Sequence, residues 1–160
     1  MRQILSIAVL IFALALACAG QTPGPTNLYA GGISYNVGAS PAIAGTGLYA
    51  RLIAGAGTYA FTVVDALPIT IRPFTVSTDF STGIAQKIFT IGNVPIYVPT
   101  AVGVSYTGTN TGWAWSTGGL ASIAVRGNWK ILPNIRVVKS SVSGGAGYGV
   151  IVGVLAGWGE

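Results

Sequence analysis

The sequence predicts an all-β chain, closed as an antiparallel up-and-down β-barrel of about eight strands. Three observations predict it. Glycine supplies 24 of the 160 residues, spread so that no long helix could avoid them, at about 1 kcal/mol per interior position. Apolar residues recur with a period of two in run after run. Only 7% of residues are charged while 51% are hydrophobic, with a mean hydropathy of +0.67; an ordinary soluble domain carries about 25% charged residues. A soluble sphere could not cover itself with so few charges, which argues against a plain cytosolic enzyme. Disorder needs the opposite composition. The length suits one domain, expected over residues 27–158. Ten strands is the nearest alternative count, and a two-layer β-sandwich is the alternative architecture.

Residues 1–20 are expected to be removed. Met1-Arg2-Gln3 gives a short positive start, and Ile4 to Ala17 is an apolar run interrupted only by Ser6. That is shorter than the roughly 20 apolar residues of a membrane-spanning helix but suits a signal peptide. Ala17-Cys18-Ala19 fits an A-x-A cleavage site, while Leu16-Ala17-Cys18 resembles the end of a lipobox, which would make Cys18 a lipidated N-terminus. Residues 21–26, Gln21-Thr22-Pro23-Gly24-Pro25-Thr26, read as a flexible leader.

The strands follow. In Asn27 to Val37, Tyr29, Ile33 and Tyr35 share a face. Leu48, Ala50, Leu52 and Ala54 alternate with Tyr49, Arg51 and Ile53. Beyond Gly55-Ala56-Gly57, the residues Tyr59, Phe61 and Val63 alternate with Thr58, Ala60 and Thr62. The middle of the chain fits worst. Pro68, Pro73, Pro95, Pro99 and Pro133 each lack a backbone donor, and Ile91-Gly92-Asn93-Val94 reads as a tight hairpin between arms too short to cross a bilayer. Val102, Val104 and Tyr106 resume the alternation. Next Trp113, Trp115, Thr117, Ala121, Ile123, Val125 and Trp129 face one way, opposite Ala114, Ser116, Ser122 and Arg126. After Ser143-Gly144-Gly145 the last strand is the clearest. Tyr148, Val150, Val152, Val154, Ala156 and Trp158 form one face, and Gly149, Ile151, Gly153, Leu155 and Gly157 the other. The ten steps from Tyr148 to Trp158 span about 33 Å along a strand. Tilted by about 40°, they rise roughly 25 Å, the height of the apolar band on a membrane barrel, so these two aromatics are expected at its interfaces.

Charge placement points the same way. Arg51 lies opposite Leu48, Ala50 and Leu52, Arg126 shares parity with Ser116 and Ser122, and Lys130 and Arg136 lie opposite Ile131, Ile135 and Val137. All four are expected inside the barrel, because a lipid-facing cation at the midplane costs about 2–4 kcal/mol. Asp65 and Asp79 are candidate partners. The plainer reading makes these cations solvated rim charges. Without Arg2, the chain from Gln21 keeps seven Lys/Arg against three Asp/Glu, a net of +4, which could favour anionic phosphates at a rim but forms no patch dense enough for nucleic acid.

Little chemistry is available. There is no histidine, and no paired carboxylate is evident. Gly112-Trp113-Ala114-Trp115-Ser116-Thr117-Gly118-Gly119 lacks the strand-to-helix context of a phosphate loop. Interface belts or packing explain Trp113, Trp115, Trp129 and Trp158 more simply than sugar stacking. No catalysis, cofactor or metal is expected.

From Asn27 to Trp158 the pattern resembles small eight-stranded outer-membrane β-barrels of diderm bacteria. The resemblance is most specific over Gly147 to Trp158, where alternation into an aromatic looks like the C-terminal signal for barrel assembly. It departs from that family in the Gly159-Glu160 that follow. The resemblance implies antiparallel strands, short turns at one end and longer loops at the other, outer-membrane lipid and the barrel assembly machinery as partners, and no catalytic residue. The expectation is an exported outer-membrane barrel with a structural or narrow-pore role. The competing expectation is a secreted or surface-anchored soluble β-sandwich that binds a partner or self-assembles in a surface layer.

Overall fold

Alternation between buried interior residues and β-branched or aromatic exterior ones gives most strands two different faces, and such strands are satisfied by curling into one closed sheet. The computed structural model describes residues 25–37, 43–54, 57–71, 74–108, 110–142 and 148–160. The expected signal peptide, most of the leader, Pro73 and the Ser143-Gly144-Gly145 turn lie outside them. The strands are β1 (Asn27–Val37), β2 (Ile43–Ala54), β3 (Thr58–Ile71), β4 (Phe74–Ile91), β5 (Val94–Thr107), β6 (Asn110–Ala121), β7 (Ile123–Arg126), β8 (Trp129–Ser140) and β9 (Tyr148–Gly159).

Neighbours in sequence pair antiparallel from β1 to β6 and from β8 to β9. Two further ladders close the circle. β1 pairs with β9 from Leu28↔Gly159 to Val37↔Val150, and β6 pairs with β8 from Ala114↔Ser140 to Leu120↔Asn134. The short β7 continues the line of β6 in unchanged register on β8, with Ile123 opposite Ile131. The architecture is therefore an eight-stranded up-and-down barrel plus one extra strand, not a sandwich. One end, the termini end, carries the start of β1 and the end of β9, tied by Asn27 N–H donating to the Glu160 carbonyl (2.8 Å) and Glu160 N–H to the Asn27 carbonyl (2.9 Å). The turns after β2, β4 and β7 lie at this termini end. Gly92 and Gly127 occupy φ of 58° and 54° in two of those turns, a left-handed conformation that a side chain would oppose.

The middle of the chain departs from expectation. The hairpin at Ile91-Gly92-Asn93-Val94 exists, but its arms are long: β4 has 18 residues and β5 has 14. Three of the prolines sit where a ladder is interrupted. Pro68 adjoins a register shift in the β3–β4 pair. Pro99 falls between Tyr97↔Leu120 and Thr100↔Thr117, a gap in the β5–β6 register. Pro133 faces the break between β6 and β7. None of these positions requires the N–H that proline lacks.

Glycine also sets the curvature. At Gly83 and Gly103 an added Cβ would collide with the backbone of Thr100 and of Phe80 respectively. The β4–β5 wall can therefore bend that tightly only where side chains are missing.

Candidate functional site

Two surfaces of the wall could carry function, the lumen and the outer face. Near the termini end the lumen is apolar. Leu28, Phe61, Leu132 and Leu155 pack there with Tyr59 and Tyr97, whose rings meet edge-on at 5.7 Å, and Leu132 has no exposed surface. Pro25 closes the floor, its carbonyl accepting the Tyr59 hydroxyl at 3.0 Å. The cavity left among these side chains is about 50 Å³.

Towards the other end the lumen turns polar. Arg136 and Asp65, 5% and 2% exposed, are joined by Nη2–Oδ1 at 2.8 Å. The same Asp65 oxygen accepts the Thr46 hydroxyl at 2.6 Å, and Thr46 shares a 2.8 Å bond with the Ser34 hydroxyl. Asp79 lies directly opposite Asp65 on β4 and accepts the Ser105 hydroxyl. A buried charge survives only when paired and hydrogen-bonded, and this network supplies both to Asp65. Its order along the chain, Ser34, Thr46, Asp65 and Arg136, spans four strands that sequence alone does not bring together. The available signal is parity: each sits at a polar position on the face opposite the large exterior residues.

The structure separates the four expected lumen cations. Arg136 is inside. Lys130 is half-buried on the inward side of β8 beside the termini end. Arg126 is exposed on β7 at the rim. Arg51 is placed outside, not in the lumen: Ala50 is buried, with Leu48 and Leu52 packed against the core, so Arg51 shares the outer face with Tyr49 and Ile53. The cause is that β2 is apolar on both sides, so its hydrophobic pattern does not fix which side turns in; pairing with Leu28 and Phe61 does.

The outer face is the apolar one. On β9, Val152 and Val154 are 45% and 54% exposed while Ile151 and Leu155 are buried. Exposed Ile33, Ile84, Val102, Val104 and Ile135 extend the same surface round the barrel. Aromatics border it. At the termini end Tyr29 stacks on Tyr49 at 5.1 Å, and Trp129 meets Trp158 edge-on at 5.4 Å. At the other end stand Tyr35, Tyr106 and Trp113, the last with Lys139 Nζ 5.8 Å from its ring centre. Tyr148 opens β9 at that end; its side chain lies outside the described residues. From Trp129 to Lys139, ten steps of β8 rise roughly 25 Å at a 40° tilt, and no charge lies on the outward side of that strand between them.

Among the described residues no three His, Cys, Asp or Glu side chains gather as a metal site. No protein-family model matches the chain, and no curated protein matches it. Among solved structures, one described as "De novo design of transmembrane beta-barrels" aligns with 86% of this chain and 98% of its own, at a TM-score of 0.50 and 13% identity. At that identity the likeness is one of fold: this chain is similar to a closed antiparallel barrel that was designed to span a membrane.

Proposed function

We propose that the chain is an integral outer-membrane β-barrel with a structural role, exported by its first 20 residues and carrying out no catalysis. One observation carries the reading: the barrel is inverted relative to a soluble protein. Its exterior is apolar and bordered by aromatics, while its charge pair and hydroxyl network lie within. Such an exterior would be a liability in water and is what lipid requires, because a closed ladder leaves no backbone group unpaired in the hydrocarbon. The alternation of β9 into Trp158 supports recognition by a barrel assembly machinery. The packed termini end supports a closed lumen rather than a general porin.

Two measurements test this. The protein should stay in the membrane pellet through carbonate and high-salt washing and leave it only with detergent; release by either wash overturns the membrane reading. Reconstituted in planar bilayers, it should give no large, stable open-channel current. Such currents would overturn the closed lumen alone.

A further inference from the structure

Six lysines and arginines lie among the described residues, and they are unevenly placed. Arg51 near the end of β2, Lys87 near the end of β4, Arg126 on β7 and Lys130 at the start of β8 all fall at the termini end. Arg136 is inside, paired with Asp65. Lys139 stands at the opposite end, over Trp113. Arg51 and Arg126 are exposed, and Lys87 and Lys130 half-buried. The acidic side chains are placed otherwise: Asp65 and Asp79 are interior, which leaves Glu160 as the described carboxylate at the termini end. Four cations from well-separated parts of the chain thus surround one rim against a single acid.

The rim coincides with an aromatic border. Tyr49 precedes Arg51 by two positions on the same outward side, so the Arg51 backbone stands about 7 Å further along the strand. Trp129 follows Arg126 across the β7–β8 turn, edge-on to Trp158. Tyrosine and tryptophan rings settle at headgroup level, which puts the neighbouring cations among the phosphates.

We propose that the termini-end rim is a binding collar for anionic phospholipid headgroups, with Arg51 and Arg126 as its outer contacts. It rests on the reading that the outer face meets lipid. The cations are strung around the circumference, each outer one beside an aromatic anchor, rather than gathered into one patch. That spacing suits many small anionic headgroups better than a single acidic protein.

The test uses the four tryptophans as two pairs. Trp113→Phe with Trp115→Phe leaves Trp129 and Trp158 as reporters at the collar. Trp129→Phe with Trp158→Phe leaves the other pair. Each protein is inserted into phosphatidylcholine vesicles containing one-fifth brominated phosphatidylcholine or one-fifth brominated phosphatidylglycerol, and tryptophan quenching is measured. At about 1 kcal/mol per cation near an anionic surface, the collar pair should report phosphatidylglycerol favoured about fivefold over phosphatidylcholine, and the other pair, measured with Lys139→Gln in place because that cation stands over Trp113, no preference. Arg51→Gln with Arg126→Gln should bring the collar value to near one while leaving quenching by brominated phosphatidylcholine intact. Equal preference at both pairs, or a collar preference untouched by the double substitution, overturns the collar alone. Absence of quenching by either lipid at either pair overturns the membrane reading, and the collar with it.

Discussion

Replacing Arg136 by methionine should destabilise the folded barrel by about 3–5 kcal/mol, the usual loss when one partner of a buried ion pair is removed. The geometry gives an independent estimate. Without the guanidinium, Asp65 loses its 2.8 Å contact while remaining 98% buried, and Asp79 faces it across one rung of the β3–β4 ladder. Side chains so paired stand about 5 Å apart. Two unit charges at about 5.5 Å and an effective dielectric of about 20 repel by about 3 kcal/mol, a repulsion that the Arg136 charge offsets in the wild type and that stands uncompensated once it is gone. Adding Asp65→Asn should remove that repulsion, since the amide oxygen can still accept the Thr46 hydroxyl, and should recover about 2–3 kcal/mol of the loss. The measurement is equilibrium unfolding by urea in lipid vesicles, followed by tryptophan fluorescence, for the wild type, both single variants and the double. A loss below about 1 kcal/mol for Arg136→Met, or a double variant no more stable than Arg136→Met alone, refutes the reasoning.

Three further outcomes are expected in the same unfolding assay. Val152→Arg should cost about 2–4 kcal/mol, because it sets a cation on the outward face near the middle of β9; a neutral result would mean that this face does not meet lipid. Gly153→Leu should cost about 1–3 kcal/mol for a different reason, since any Cβ there runs into the Ser34 hydroxyl, and a tolerated leucine would show the lumen to be loosely filled. Trp129 and Trp158, edge-on at 5.4 Å, should show a coupling of about 0.5–1.5 kcal/mol in a double-mutant cycle to alanine; purely additive losses would show that the pair contributes only its separate burials.

How much could be read beforehand varied from strand to strand for identifiable reasons. β9 was legible because its two faces differ in kind, valines against glycines and buried aliphatics, so one strand sufficed to give period, length and outward side. β2 is not, because Tyr49 and Ile53 on one side match Leu48 and Leu52 on the other, and that ambiguous pattern predicts Arg51 inward whereas it lies outside. The choice is made by Leu28 and Phe61 on the flanking strands, which a reading of β2 alone does not include. In β4 and β5 the prolines masked long strands, since a missing donor is harmful only where the neighbouring ladder needs it, and the register gaps beside Pro99 and Pro133 arise from the pairing of distant segments. Parity holds for Arg136 and Lys130, which lie inward, and fails for Arg51, which lies outside, and Arg126, which is exposed at the rim. Parity does not tell which interior charges meet, because Asp65 and Arg136 stand 71 positions apart and only closure of the circle joins them.

The pairing of β1 with β9 has a consequence for the order of events in the life of the chain. Of the described strands, the first in sequence has the last as one of its two neighbours, so until Tyr148–Gly159 is available β1 keeps one side of its backbone unpaired. An unpaired edge is a template for any other strand, and in hydrocarbon each orphaned group costs several kcal/mol. Completion is therefore a late step joining the most distant parts of the sequence, which makes it slow and leaves the unfinished sheet open to aggregation meanwhile. A chain cut short before β9 would keep two open edges, one on β1 and one on β8, and its simplest remedy would be to pair them with those of another copy.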